Sequence, residues 1–434
     1  MKILIIDPYK KSNYRLSKDT SGGYGTANNF GDSIFTYLLK RSLKSIQDWP
    51  PLFAAYAHSV LIKKGHDVEF ERKITKKKYD FYIVTSSIVC YETEIEIIKQ
   101  LSKKNNKIFV IGSFATNNPA LYSKFCATVI IGEPEFYFLS KTSDEYLIDL
   151  KQNQVVFSHN LTLDDLPYPL WDIISKKNKI GKLFGNENAA PIIATRGCPF
   201  SCFKYCVYPL QQGRTVRQRS INSIIDELIY LKKKGYKIFI FRDPVFSINK
   251  NHTVEFINEI IKKEIKIKFV IETHLRILDP DLIMLLKKAG MIGVKVGIES
   301  PNKDILKEAN RYSVSNDEQL TKINFLNENN IKVSAMYIIG FPDDTIQTIN
   351  DTINYALKLN TFYAQFSVWT PYPGTPVYKE YENIITKDNF ESFDQYQLVY
   401  KHKNLSELEI RKLLTKAYTK YYLRFNWIKN FFKQ

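Results

Sequence analysis

Three of the five cysteines in this chain, Cys198, Cys202 and Cys206, are crowded into one stretch, RGCPFSCFKYCVYPLQQGRTVR, from Arg196 to Arg217. Thiolates are metal ligands, so the first question is which metal centre three of them suit. A structural zinc site wants four ligands, usually as two separated pairs, and neither a second pair nor a nearby histidine is present. Disulfides fit poorly, because three is odd and the chain reads as intracellular. Three closely spaced thiolates do suit an iron–sulfur cubane with three irons tied to protein and the fourth left open to bind a substrate. The plain alternative is three unrelated buried cysteines. The regular spacing and the strand that precedes them count against it.

That strand is the apolar run Pro191–Thr195. It puts the thiols on a loop at a strand's C-terminal end, where parallel sheets and α/β barrels carry their chemistry. Five more strand-like runs follow at regular spacing: Lys237–Arg242, Lys268–Thr273, Gly293–Glu299, Lys332–Ile339 and Ala364–Thr370. Helices such as Pro280–Ala289 and Glu318–Asn329 fall between them, and a capping box at Ser223–Asp226 is expected to start the first helix. Six βα units with right-handed crossovers make a barrel or part of one. Polar or small residues recur at the strand ends: Arg242-Asp243-Pro244, then Glu272, Thr273, His274 and Arg276, then Gly297–Ser300, Gly340–Pro342 and Thr370–Thr375. Any one of these could be only a cap or a turn. Their recurrence at successive strand ends is what points to a site.

The cysteine loop resembles that of the radical S-adenosylmethionine (radical SAM) enzymes, whose usual spacing is Cys-x-x-x-Cys-x-aromatic-Cys after the first barrel strand. The first half matches, and the aromatic before the last cysteine is kept as Tyr205. Between Cys202 and Cys206, however, there are three residues where the family has two, which reads as an insertion at Phe203 or Lys204. The resemblance implies an open six-strand barrel, a [4Fe–4S] cluster on Cys198, Cys202 and Cys206, and SAM at the cluster's open iron. It further implies a SAM amino group held near Asp243, with Glu272 and Arg276 beside it, and an adenine lying close to Gly340. Gly297-Ile298-Glu299-Ser300 matches the family's Gly-Ile-Glu-Ser pattern and implies a ribose held by Glu299 with Ser300. His274 is either a proton carrier at the site or a strand-end histidine satisfied by its neighbours.

The first part of the chain alternates strand and helix: Lys2–Asp7, a helix at Pro51–Lys64, Val68–Arg72, Tyr79–Ser86, a helix at Glu92–Lys103, Lys107–Gly112 and Thr128–Gly132. This pattern predicts a Rossmann-like, flavodoxin-like parallel sheet whose ligand lies over Asp7, Ser86, Ser87, Gly112, Ser113, Gly132 and Glu133. No G-x-G-x-x-G follows the first strand, so a dinucleotide is not expected. The layout is similar to the cobalamin-binding domain that precedes the barrel in one large radical SAM subgroup. Cobalamin is therefore an expected cofactor, unless the domain is a scaffold that has lost it. No Asp-x-His-x-x-Gly follows Asp7, so a bound cobalamin is expected with its own base displaced and no histidine on cobalt. Cys90 and Cys126 read as small buried hydrophobes.

The expected organisation is a Rossmann-like domain over 1–140, a connector over 141–188 with Val155–Phe157 in a hairpin, a partial barrel over 189–382, and a helical region over 383–434. The aromatic, cationic tail at 418–432 is expected to pack on the barrel, with contact to an anionic membrane as the less favoured reading. With 434 residues and 44% hydrophobic content, two or three globular domains are expected. No apolar run reaches membrane-span length, and the cytoplasm is the expected compartment. The net charge of +17 comes from lysines scattered through loops and helix ends, including the runs at 76–78, 176–179 and 232–234, with no single basic arm. Nucleic acid is accordingly not the expected partner; an organic substrate and an electron donor such as flavodoxin or ferredoxin are. The leading function is methylation of an unactivated carbon using the cluster, SAM and cobalamin. The alternatives are an RNA-modifying methylthiotransferase, a cobalamin-dependent ring contraction or cyclisation, and, in another class, a non-catalytic metal-binding nucleic-acid module.

Overall fold

The computed structural model describes residues 1–44, 49–151, 155–158, 162–175 and 187–432. Two six-stranded parallel sheets organise it. The first contains Lys2–Ile6 (β1), Asp67–Glu71 (β2), Phe81–Thr85 (β3), Ile108–Ile111 (β4), Thr128–Ile131 (β5) and Val155–Phe157 (β6), in the order β2-β1-β3-β4-β5-β6. An uninterrupted apolar strand such as Ile3–Ile6 must be covered on both faces. Leu4 and Ile6 pack with Ile98 and Leu101 on one side, while Ile3 and Ile5 pack with Ala54 and Leu61 on the other. The strand order reverses beside β1, which is the flavodoxin-like arrangement. Val155–Phe157 is not half of a hairpin. It pairs in parallel with β5, Val129 opposite Val155, so the first sheet takes its sixth strand from the stretch expected to be connector.

The second sheet contains Ala189–Ile192 (β7), Ile238–Phe241 (β8), Lys268–Thr273 (β9), Met291–Glu299 (β10), Lys332–Ile339 (β11) and Tyr363–Val368 (β12), paired in chain order with every pair parallel. Among the described residues its two edges do not pair with each other, so it is an open six-strand barrel. Along β10, Val294, Val296 and Ile298 are buried under the surrounding helices, while Lys295, Gly297 and Glu299 alternate with them and are half-buried. β11 and β12 show the same alternation, with Ser334, Met336, Gln365 and Ser367 on the less buried side. The concave face is thus polar and partly open, as a ligand chamber requires. The helix after the cysteine loop starts at Ile221, capped by Ser220 rather than Ser223, because the Ser220 hydroxyl accepts the Ser223 N–H.

An edge strand exposes unpaired backbone groups that must find partners. At β12 they find tyrosines of the helix Glu407–Tyr422. Tyr418 Oη accepts from Phe366 N at 3.1 Å and donates to Phe366 O at 3.0 Å, and Tyr422 Oη does the same at Ala364. The tail therefore closes the barrel's edge, as the packing reading expects. Among the described residues no helix is long and apolar enough to cross a membrane. The lysine run at 176–179 lies outside the described residues.

Candidate active site

The cysteine loop leaves β7 through a neck in which Thr195–Arg196 pairs antiparallel with Arg217–Gln218. Gly197 sits in that neck at φ +90°, and a Cβ there would meet the Thr215 carbonyl oxygen at 2.0 Å, so only glycine fits. Ser201–Lys204 makes a tight helical turn, and Cys206 N–H donates to Cys202 O at 3.0 Å. Residues four apart in a helical turn share one face. The additional residue between Cys202 and Cys206 thus completes a turn and keeps both thiols together. The hydrogen bond with Cys206 draws the Cys202 thiol down to about 6; burial opposes that shift and the Arg311 guanidinium assists it. The same hydrogen bond, with burial, holds Cys206 well above the usual thiol range, and burial pushes Cys198 up. Cys202 is thereby the readiest thiolate, and loading a metal centre would release the other protons. Among the described residues no three His, Cys, Asp or Glu side chains converge on one ion position. A cubane asks for a different arrangement, three thiolates on three separate irons, and the loop's three thiols suit it.

Facing the thiols at the end of β10 stands a second group that the sequence did not single out. Arg311 lies 3.8 Å from Cys202 Sγ, donates to Gly297 O at 3.0 Å, and reaches the Glu299 carboxylate at 3.2 Å. Its Nε is buried with no hydrogen-bond partner among the described residues. Glu299 itself has φ +63°, beside a register shift in the β10–β11 ladder, a conformation that costs a non-glycine residue about 1–2 kcal/mol. Burial pushes its carboxyl up to about 7 against the pull of Arg311. A Cβ at Gly297 would meet Glu299 Oε1 at 2.4 Å and Arg311 Nη2 at 2.7 Å, so this pair needs the glycine. Tyr205 stands close by, its ring 6.2 Å from that of Phe341.

The remaining barrel residues divide. Glu272 is half-buried on the concave face and accepts from Tyr208 Oη at 3.3 Å. Asp243 is fully buried and turned toward β7, accepting from Ala194 N, Thr195 N and Thr195 Oγ1, which makes it a clamp on the root of the cysteine loop. Burial pushes its carboxyl up to about 7. Ser300 does not extend the Glu299 site: it is buried and accepts from Asn302 N at the next helix's start. The Gly340 carbonyl is taken by Tyr400 Oη at 2.9 Å, and a Cβ there would crowd Ile410. Arg276 is exposed, with its guanidinium over Tyr312 and Phe200.

His274 is not free to move a proton. Its Nδ1 accepts from Arg276 N at 3.2 Å, which leaves the proton on Nε2 to be donated to Tyr312 O at 2.9 Å. Burial lowers its pKa to about 4, so the ring should remain neutral as the pH falls to that point. An unfolded chain protonates histidine near 6.5, so between about 6.5 and 4 the unfolded state binds more protons. The stability this ring contributes is full above that window and is lost as pH falls through it. An NMR titration of the ring should show the depressed midpoint; a midpoint near 6.5 would contradict the assignment.

The first sheet faces the cysteine loop with its strand ends, and its predicted ligand residues are occupied internally. Asp7 accepts from Thr85 Oγ1 at 2.7 Å and Arg72 Nη1 at 3.0 Å. Lys18, which is 0% exposed, inserts its ammonium 2.7 Å from Glu94, 3.1 Å from Thr85 O and 3.7 Å from Asp7. Ser86 Oγ accepts from Ala115 N, Ser87 pairs with Glu94, and Ser113 donates to Gly22 O. The smallness of Gly112 serves Phe53 and Ser86, and that of Gly132 serves Ser158. Glu133 joins Arg217 at 2.6 Å and, with Glu135, holds the buried Arg196. Lys18 thus fills the crevice between β1 and β3, where the strand order reverses and doubly wound sheets bind ligands. The space between these strand ends and the cysteine loop, lined in part by Asp19, Gly22, Phe53, Arg196 and Arg242, is about 40 Å³, room for a few waters. A corrin ring does not fit there in this conformation. Cys90 is buried, its thiol pushed up to about 11 by burial, whereas Cys126 is exposed rather than buried as expected.

Residues 192–356 match the model of the Radical SAM superfamily. The chain is 29% identical over 416 residues to an uncharacterized methyltransferase of Pyrococcus horikoshii, covering 86% of this chain and 88% of that protein. It is 26% identical over 343 residues to the bacteriochlorophyllide d C-12(1)-methyltransferase of Chlorobaculum tepidum, covering 75% and 71%. Among solved structures it is similar to the radical S-adenosylmethionine methyltransferase TsrM of Kitasatospora setae, determined with cobalamin and a [4Fe–4S] cluster bound. That likeness has a TM-score of 0.61 at 15% identity, over 89% of this chain and 76% of TsrM, and speaks for the fold.

Proposed function

We propose that the chain is a radical SAM enzyme that transfers a methyl group to an unactivated carbon of an organic substrate. The observation that carries this is the pairing of the three-thiol loop with Glu299 and Arg311 across the barrel mouth, inside a matched radical SAM domain. When bound, the [4Fe–4S] cluster supplies the electron that splits the SAM sulfonium, yielding methionine and a carbon radical able to remove hydrogen from the substrate. The protein's part is positional. Asp243 fixes the root of the loop, Cys198, Cys202 and Cys206 are the ligands, and the Arg311 guanidinium offers a cation to the SAM carboxylate. Glu299 accepts from the ribose hydroxyls. An electron donor of the flavodoxin or ferredoxin kind belongs to this reading.

Glu299→Gln should therefore weaken SAM binding about tenfold or more, the worth of a hydrogen bond to a charged group, while leaving bound iron unchanged. Unaltered SAM affinity would remove Glu299 from the site.

Cobalamin also belongs to the reading, on the support of the TsrM likeness and of the methyltransferase relatives. Because Lys18 fills the crevice, uptake would need the segment Ser17–Gly25 to leave the strand ends. Reconstitution with hydroxocobalamin should then retain about one per chain, through the same nucleotide-domain logic that places ligands at this crevice, and should raise hydrogen exchange in Ser17–Gly25. Failure to retain it would remove cobalamin from the proposal and leave the first sheet as a scaffold. The methyl transfer itself is tested by anaerobic incubation with methyl-deuterated SAM, reductant and a small-molecule cell extract. A product carrying one trideuteromethyl group in place of a hydrogen is expected; label found only in SAM and in the methionine cleaved from it would contradict it.

A further inference from the structure

The cysteine loop has two sides, and cluster and SAM binding use only one of them. Its second half is turned toward the first sheet: Val207 and Leu210 pack with that sheet's core, and Leu210 O accepts from Asn117 Nδ2 at 3.4 Å. Its thiols meet Arg311 at the barrel mouth. The first half is turned outward, with Pro199 and Ser201 exposed and Phe200, Phe203 and Lys204 half-buried. Two exposed arginines lie on the rings of this outer side. Arg214 places its guanidinium 4.3 Å from the Phe203 centroid and donates to Pro199 O at 3.0 Å. Arg276 lies 4.5 Å from the Tyr312 centroid and 5.6 Å from that of Phe200. Among the described residues Lys204, Arg214 and Arg276 form no ion pair. Their neighbours have no carboxylate to spare. The helix Lys303–Glu308, joined to the loop where Ser201 Oγ donates to Asn310 O, sets Asp304 and Glu308 against Lys303 and Lys307. Glu318 is taken by Lys322 at 2.8 Å.

Three cations gathered without counter-charges attract an anionic surface. The rings beneath the two arginines hold them in place, which lowers the cost of ordering them against a partner. Consecutive Cα atoms are about 3.8 Å apart, so Phe203 and Lys204 are within a residue of the ligands Cys202 and Cys206. A partner seated here is separated from the iron ligands by one layer of chain. The radical SAM reading needs one electron from outside for each SAM cleaved, and the barrel side of the loop is given to SAM. Resting on that reading, we infer that the outer side of the cysteine loop, with Lys204, Arg214 and Arg276 around Phe200 and Phe203, is the docking surface for an electron-donor protein with an acidic face. The donor is oxidised by one electron, which enters the cluster through the loop and breaks the SAM carbon–sulfur bond. A nucleic acid is also drawn to cations and aromatic rings. It is better served by a basic track along its backbone than by a short patch laid over metal ligands.

The test is binding of an acidic flavodoxin, and separately of an acidic ferredoxin, to the anaerobic cluster-loaded protein, read by biolayer interferometry at low and high salt. The variants are Arg214→Glu and Lys204→Glu, each assayed for bound iron. Arg214 also ties Pro199, so Lys204→Glu, which breaks no contact among the described residues, decides the matter if Arg214→Glu loses iron. Each reversal should weaken binding of a donor about tenfold at low salt, and the difference should shrink as salt is raised. SAM cleavage driven by that donor should slow in step, while cleavage driven by dithionite should keep the rate of the unaltered protein. Unchanged donor affinity in Lys204→Glu, or binding of neither donor at low salt, would overturn the docking surface. Binding of a single-stranded oligonucleotide that is lost in Lys204→Glu while donor affinity is kept would give this side to nucleic acid, with the same consequence. Dithionite needs no docking surface. A protein that cleaves SAM with dithionite but fails the binding test refutes the surface alone, whereas an iron-loaded protein that does not cleave SAM with dithionite refutes the radical SAM reading.

Discussion

Replacing any one of Cys198, Cys202 and Cys206 by Ala should abolish reductive SAM cleavage and lower bound iron. Each thiolate is expected to hold a separate iron, and a cubane that has lost one of three protein ligands has no fourth to draw on: Cys90 is buried in the first sheet's packing and Cys126 is exposed on the surface. The three losses should be alike in activity, although the thiols differ in acidity, because a missing ligand outweighs a difference in how readily it ionises. Cys90→Ala is the matched control. That thiol is a buried packing residue, so SAM cleavage should survive its removal. Full cleavage by Cys202→Ala would detach the loop from the cluster altogether.

The largest stability effect is expected at Arg196. Its guanidinium is buried against Glu133 and Glu135 and stacks over Tyr56, 5.1 Å from the ring centroid. It joins the neck of the cysteine loop to the strand end of the first sheet. Arg196→Met would strand the buried Glu135 carboxylate and leave Glu133 with Arg217 alone, and removing one partner of a buried pair typically costs about 3–5 kcal/mol. Urea unfolding of the metal-free protein should show that loss. Adding Glu133→Gln and Glu135→Gln to Arg196→Met should recover part of it, since the uncompensated charge is the main penalty. Lys77, whose pair with Glu69 is largely exposed, provides the contrast: Lys77→Met should leave the unfolding curve where it was. A loss of under about 1 kcal/mol at Arg196 would mean that water or a rearrangement compensates its partners, and that this contact does not secure the loop.

These expectations differ in how far the sequence foreshadows them. The cysteine loop, five of the first sheet's six strands, the second sheet and the strand-end position of Glu299 can be read from hydrophobic periodicity and spacing, because strands and helices write their period into the chain. Arg311 could not be read that way. It lies on a loop past the helix Lys303–Glu308 and reaches Cys202 across a long sequence gap, and no local pattern reports such a contact. Lys18 escaped for the same reason. It looks like one surface lysine among many, yet Thr85, Glu94 and Asp7 close around it. His274, Asp243 and Ser300 show a different limit. Each has the right chemistry at a strand end, but a strand end also has backbone groups to satisfy, and in this fold those groups take all three.

The loop at the end of β7 is proposed to carry a SAM-cleaving iron–sulfur cluster. The most direct measurement is made on the unaltered protein, purified and reconstituted without oxygen, assayed for iron and sulfide and then given SAM with a strong reductant. About four irons and four sulfides per chain are predicted, with methionine and 5′-deoxyadenosine formed in equal amounts. Stoichiometric zinc in place of iron, or a fully iron-loaded protein that leaves SAM intact under reduction, would contradict it.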